Sequence, residues 1–246
     1  MAHDPDRYWQ YFTGLHRAMP QQAPGNRACT LRALSYVPGT PSSVLDLGCG
    51  PGRHTLELAA ALPAASFTGI DASGVLLAEA RARAAREAPG RDLTFVEGDM
   101  LALGDRRVDL IWSEGAAYIV GVNTALACWR EHLNPGGCVA FTDAVWLKPD
   151  VPGEVSDFWQ DYPDMQSIHD RQSQAVAQGF TAIANFVLPP ETWADYYEPL
   201  QARIDELRPG RDETETAVLD ASQREIDLYR NHSDCYSYAF FILQRT

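Results

Sequence analysis

The chain has 246 residues, 46% of them hydrophobic, and a formal net charge of −13. That length supports one domain with a full core, and no apolar run approaches the roughly 20 residues that cross a bilayer. Its basic residues are almost all Arg, with Lys148 the lone Lys and no basic run, so the net field repels polyanions and argues against nucleic-acid partners and anionic membranes.

In chain order, Tyr8, Tyr11 and Phe12 open a short aromatic helix that also carries His16. Residues 20–25 form a loop, and Asn26 is placed to cap a helix with Ala28, Leu31 and Leu34 on one side. These first 40 residues read as lid helices over the segment that follows. Val44-Leu45-Asp46-Leu47 is a buried strand. Gly48-Cys49-Gly50-Pro51-Gly52 is a glycine loop, and Arg53 starts a helix with Thr55, Leu56, Ala59 and Leu62 at helical spacing. A strand, a glycine loop and a helix place a nucleotide-like ligand at the carboxyl end of a parallel sheet. The third glycine comes one residue earlier than in a dinucleotide fingerprint, and Asp46 precedes the loop, where an acid disfavours a pyrophosphate and suits a cationic amine. Cys49 is a small space-filler of that loop.

Residues 67–73 read as a second strand ending in an acid, Asp71, followed by Ala72, where a carboxylate can take both protons of a ribose diol. Ser73 caps a helix to Glu87 with Leu76, Leu77, Ala80 and Ala84 facing in. A third strand ends at Asp99-Met100. A fourth ends at Ser113-Glu114, with Tyr118 one helical turn beyond. A helix over residues 121–133 leads to Asn134-Pro135-Gly136-Gly137 and a fifth strand. Strands and helices alternate to residue 142, which implies a doubly wound parallel sheet. Residues 149–163 are irregular. A helix over 164–178, a strand over 180–188, a helical insertion over 191–230 broken at Pro209-Gly210, and a last strand over 236–244 complete the chain.

The loop at 48–52, with Asp71, Asp99-Met100, Ser113-Glu114 and the Pro135-Gly136-Gly137 turn in this order, resembles the class I S-adenosylmethionine-dependent methyltransferases. The resemblance implies a Rossmann-like, mostly parallel seven-stranded sheet whose last strand inserts antiparallel between the fifth and sixth. It implies one domain, with residues 1–40 as lid, 41–147 as cofactor core and 148–246 as the acceptor side. S-adenosylmethionine is the expected cofactor, with S-adenosylhomocysteine the product. Asp46, Gly48, Cys49, Gly50, Gly52, Asp71, Ala72, Asp99, Met100, Ser113 and Glu114 are its expected neighbours. In the family, the acid at the place of Asp99 accepts from the adenine amino group, and its neighbour packs on the ring.

The expected reaction is methyl transfer to a small-molecule acceptor, with O- or N-methylation favoured. Glu114, His16 and Tyr118 are the candidates for a catalytic base, and Tyr11, Trp146, Tyr162 and Tyr236 for contact with the acceptor. The rival readings are a non-catalytic cofactor-binding module, aminopropyl transfer from the decarboxylated cofactor, and a nicotinamide-binding domain. The five cysteines show neither paired nor metal-ligand spacing, so free thiols and no metal site are expected. A polar amino terminus points to a cytoplasmic protein, as a monomer or homodimer.

Overall fold

The structure, a computed structural model, describes residues 5–16, 19 and 21–246. Eight strands form one sheet: β1 (Ser43–Leu47), β2 (Ser66–Asp71), β3 (Leu93–Glu97), β4 (Val108–Ser113), β5 (Leu133–Trp146), β6 (Gln166–Ser167), β7 (Phe180–Val187) and β8 (Tyr236–Arg245). Seven of them run in the order β3-β2-β1-β4-β5-β8-β7. The first five in that order are mutually parallel, and β8 is antiparallel to both β5 and β7. The chain order reverses between β1 and β4, which opens a crevice at their carboxyl ends where ligands bind in open α/β sheets.

Alternation along the strands assigns the two faces. Leu45, Ile111, Val139 and Phe241 pack with Val122, Leu126 and Trp129 of α5 (Val122–Glu131) and with Ala175 of α7 (Ile168–Ala177). Their neighbours in sequence, Val44, Leu110, Ala140 and Phe240, pack on the other side against Ala33 of α2 (Arg27–Ser35) and Leu58 of α3 (Arg53–Ala61). Period-two burial on both faces is what a sheet sandwiched between helices requires. α4 (Gly74–Glu87) adds Leu77 and Ala80 beside Phe95. As expected, Asn26 caps α2 by accepting from the Cys29 amide at 3.1 Å, and Ser73 caps α4 by accepting from the Leu76 amide.

Two features depart from the sequence reading. The two-residue strand β6 pairs beside β5, off the main path, where a continuous helix over 164–178 was expected. β5 runs 14 residues and takes in the Pro135-Gly136-Gly137 turn, with a register shift against β4 between Val108 and Leu110. At Gly137 a Cβ would lie 2.9 Å from the Asn134 carbonyl oxygen, so a glycine is needed there for the backbone to fold onto itself. The insertion is two helices, α8 (Glu191–Leu207) and α9 (Glu213–His232), broken where Pro209-Gly210 predicts. They close a third cluster with α1 (Pro5–His16): Leu15, Trp193, Tyr197, Leu200, Ile204, Ile226 and Tyr236 are all buried there.

Candidate active site

The glycine loop is fastened to β2. The amides of Gly48 and Cys49 both donate to the Ile70 carbonyl, at 2.8 and 3.1 Å, and the Gly50 amide donates to Asp71 Oδ2 at 2.8 Å. Asp71 Oδ1 accepts from the Ser73 amide at 2.8 Å. Asp71 therefore ties the loop to the start of α4 before any ligand arrives. Each of its oxygens keeps a second lone pair for a ligand hydroxyl, and exposed Ala72 lies beside it. Gly48 has φ +70° and a Cβ there would stand 2.3 Å from Ala116 Cβ, so this glycine is required by packing. Gly50 has φ +50°, and a Cβ there would meet nothing within 4 Å. That side of the loop is open. Gly52 is also left-handed, with Ala80 and Phe95 crowding the place of a Cβ.

Asp46 is not at the mouth of the loop, where the sequence reading puts it. Its carboxylate is 2% exposed and accepts from Thr55 Oγ1 at 2.5 Å. Burial, opposed by the Thr55 hydrogen bond and by His54, pushes it up to about 6. The strand period turns this side chain under the loop and onto α3, leaving a ligand no open face of it. Ser113 is likewise buried and spends its hydroxyl proton on the Leu47 carbonyl at 2.9 Å, stapling β4 to β1. Buried Cys49 packs with Leu77, Ala80 and Phe95, and burial raises its thiol far above the ordinary range. Asp99 is exposed, with Oδ1 accepting from the Leu101 amide. Met100 packs at the edge of the core, its Cε 3.6 Å from the place a Gly48 Cβ would take.

Glu114 leaves the end of β4 and turns inward. Its Oε1 accepts from Thr30 Oγ1 at 2.9 Å and Trp112 Nε1 at 2.8 Å, with His54 Nδ1 at 3.2 Å. Its Oε2 is buried without a partner among the described residues, and a Cβ on Gly25 would lie 3.5 Å from it. Burial raises the carboxyl, against His54, Trp112 and Thr30. Burial lowers His54, but Glu114 and Glu57 outweigh it and the imidazole is raised. Thr30 and His54 were not singled out in the sequence. His54 opens α3 directly after the loop, and that position is the signal that could have found it. The segment before α2 packs on the same corner: a Cβ on Gly115 would meet Ala23 Cβ at 2.7 Å, and Arg53 hydrogen-bonds Gln21.

His16 lies elsewhere, between α1 and α8. The Phe12 carbonyl can only accept, so His16 Nδ1 carries the proton and donates to it at 2.9 Å, leaving Nε2 to accept from the Tyr196 hydroxyl at 3.2 Å. Burial lowers its pKa. Both ring nitrogens are thus used by the protein, and no contact joins His16 to Glu114. Tyr118 sits on a short 3₁₀ helix (Ala117–Val120) past β4 and meets the Tyr162 ring edge-on at 5.9 Å. The Tyr162 hydroxyl donates to Asp143 Oδ1 at 2.7 Å. Asp143 is in turn paired with Arg171 at 2.9 Å, both fully buried. Burial outweighs Arg171 and pushes Asp143 up to about 6. Trp146 stands opposite Tyr236 across β5 and β8, and Tyr236 meets Trp159 at 5.2 Å. Tyr11 packs on the same cluster as Trp146, Tyr162 and Tyr236, with the Arg211 guanidinium 5.9 Å from its ring.

Residues 44–137 match the methyltransferase domain family. Curated relatives include a trans-aconitate 2-methyltransferase of Streptomyces avermitilis, 35% identical over 56% of this chain and 49% of its own length. Another is a carboxy-S-adenosyl-L-methionine synthase of Chromohalobacter salexigens, 30% identical over 64% of this chain and 59% of its own. The chain spans about half the length of the trans-aconitate 2-methyltransferases it matches. Among solved structures, a methyltransferase of Geobacter sulfurreducens in complex with S-adenosyl-L-homocysteine superposes with a TM-score of 0.81 at 23% identity, covering 96% of this chain and 98% of that one. The [4+2]-cyclase SpnF superposes at 0.75 with 20% identity, over 97% and 94% of the two chains. The fold is therefore that of the class I S-adenosylmethionine-dependent methyltransferases, and residues 44–137 match the model of a methyltransferase domain. The cyclase shows that this fold alone does not name a reaction.

Proposed function

We propose that the chain transfers the methyl group of S-adenosylmethionine to a small-molecule acceptor, at oxygen or nitrogen. The observation that carries this reading is the open face of Gly50 beside the Asp71 carboxylate, at the switch point between β1 and β4. The orphaned Glu114 Oε2 fits the same ligand: a buried carboxylate oxygen without a donor is costly, and a cationic amine supplies one. Asp71 would hold the ribose hydroxyls, Asp99 the adenine amino group, and Met100 the ring face.

When bound, the cofactor supplies a sulfonium-activated methyl group. The protein's part is then to position the acceptor in line and to exclude water. Tyr118, four residues past Glu114, meets the Tyr162 ring, and that contact supports a place for it beside the acceptor. His16 is held neutral, with both nitrogens engaged, and its arrangement supports a role in fixing α1 on α8. Small-molecule acceptors are named for the relatives, and the acidic surface of this chain supports an acceptor other than nucleic acid. Asp71→Ala should weaken S-adenosylhomocysteine binding by about 1–3 kcal/mol, read by calorimetry. Unchanged affinity would remove Asp71 from the site.

A further inference from the structure

A second polar cluster lies in the acceptor half. Glu225, on the inward stripe of α9, accepts from the Tyr197 hydroxyl at 3.1 Å. Burial raises Tyr118, Tyr196, Tyr236 and Tyr238, and the Glu225 charge adds to each. With Tyr197, five tyrosines from the 3₁₀ helix after β4, from α8 and from β8 thus lie in the field of one carboxylate. Among the described residues no Arg, Lys or His is hydrogen-bonded or ion-paired to Glu225, and burial raises its carboxyl against the Tyr197 hydrogen bond. The buried cation of this half, Arg171, is already held by Asp143 and Asp164.

Unused polar atoms accompany the carboxylate. The Tyr236 hydroxyl is fully buried and has no partner among the described residues. Tyr118 is 44% exposed and Tyr238 half-buried, and neither hydroxyl makes a hydrogen bond within the described residues. Tyr238 presents its ring edge-on to Trp193 at 5.6 Å. A carboxylate withdrawn from water and left without a cation is expensive, and one ringed by aromatic groups is the environment in which a cation gains both a counter-charge and π-faces.

We propose that this cluster holds the acceptor and that the acceptor carries a cationic nitrogen, seated against Glu225 and the rings of Tyr118, Tyr196 and Tyr238. The inference rests on the methyl-transfer reading for the neighbouring cofactor site. Of these residues only Tyr118 lies within the family match at 44–137, so that match does not determine the acceptor side. A polycarboxylate acceptor would meet the Glu225 charge, to which no described cation is paired.

The test is calorimetry on the full chain. S-adenosylhomocysteine is titrated first, and its binding decides the cofactor reading independently. Choline, its neutral isostere 3,3-dimethylbutan-1-ol and citrate are then titrated with and without that ligand. The expected result is choline at least tenfold tighter than the other two, with Glu225→Gln abolishing the preference while S-adenosylhomocysteine affinity stays unchanged. Tyr238→Leu, with Glu225 intact, should weaken choline at least threefold and decides the matter if the Gln variant does not fold. Equal binding of the isostere or citrate, no choline binding, or a preference that survives both substitutions overturns the inference.

Discussion

Two glycines of one loop do different work. At Gly48 any side chain collides with Ala116, and φ is +70°. Gly48→Ala should therefore destabilise the fold by about 2–3 kcal/mol, the left-handed cost plus the clash, measured by denaturant unfolding. At Gly50 the space is open, so Gly50→Ala should lose only about 1–2 kcal/mol of stability but at least tenfold in S-adenosylhomocysteine affinity. Equal effects of the two changes on folding and binding would refute this division. Both glycines are legible in the sequence as a loop; which faces the ligand is not, because that depends on where Ala116 arrives from β4. The same holds for Asp46 and Ser113. Their places in the motif are plain, but strand alternation turns them inward onto Thr55 and Leu47. Glu114 was legible as the acid ending β4, whereas its partners Thr30 and His54 come from two helices far apart in sequence. If Glu114 serves as a base, Glu114→Gln should lower turnover at least tenfold with little change in cofactor affinity; if it holds the cofactor amine, both fall together.

At the scale of elements, β5 shows what extends a strand beyond its apolar run. Asp143 sits fully buried on it because Arg171 of α7, Tyr162 and the Asp164 carbonyl complete a closed network. Removing one partner leaves the other charge buried, so Arg171→Met should cost about 3–5 kcal/mol, seen as a large loss of thermal stability. A change under 1 kcal/mol would contradict the network. Neither this pairing nor β6 was legible, since both depend on the path of the irregular segment after β5. The hairpin α8–α9 was legible from Pro209-Gly210. Its capping box, Asp212 with the Glu215 amide and Glu215 with the Asp212 amide, has the spacing a sequence reading can find. The signal for Glu225 was also present: it falls on the stripe of Val218, Ser222 and Tyr229, where a carboxylate is out of place unless it has a task.

For the whole molecule, the parallel part of the sheet and the helical insertion follow from alternation, while the antiparallel last strand follows from the family resemblance that the motifs carry. Local pattern carries that information, while side-chain meetings across the sheet do not appear in it. Burial holds Asp46 at about 6 and Glu225 at about 7, both above their unfolded values. Their contribution to stability is full below about pH 4 and is lost as pH rises through 6 to 7. Glu225→Gln should accordingly stabilise the protein at pH 8 by about 1–3 kcal/mol and change little at pH 4, in thermal unfolding at the two values. Among the described residues no helix is long and apolar enough to cross a membrane, and no group of three His, Cys, Asp or Glu is placed to hold a metal ion.

The most direct measurement is binding of S-adenosylmethionine, S-adenosylhomocysteine, the decarboxylated cofactor and NAD to the purified chain by calorimetry. The open Gly50 face, the Asp71 carboxylate and the orphaned Glu114 oxygen predict micromolar binding of the first two, with the others at least tenfold weaker. Tighter binding of NAD, or no binding of S-adenosylhomocysteine, would contradict the cofactor assignment and with it the methyl-transfer reading.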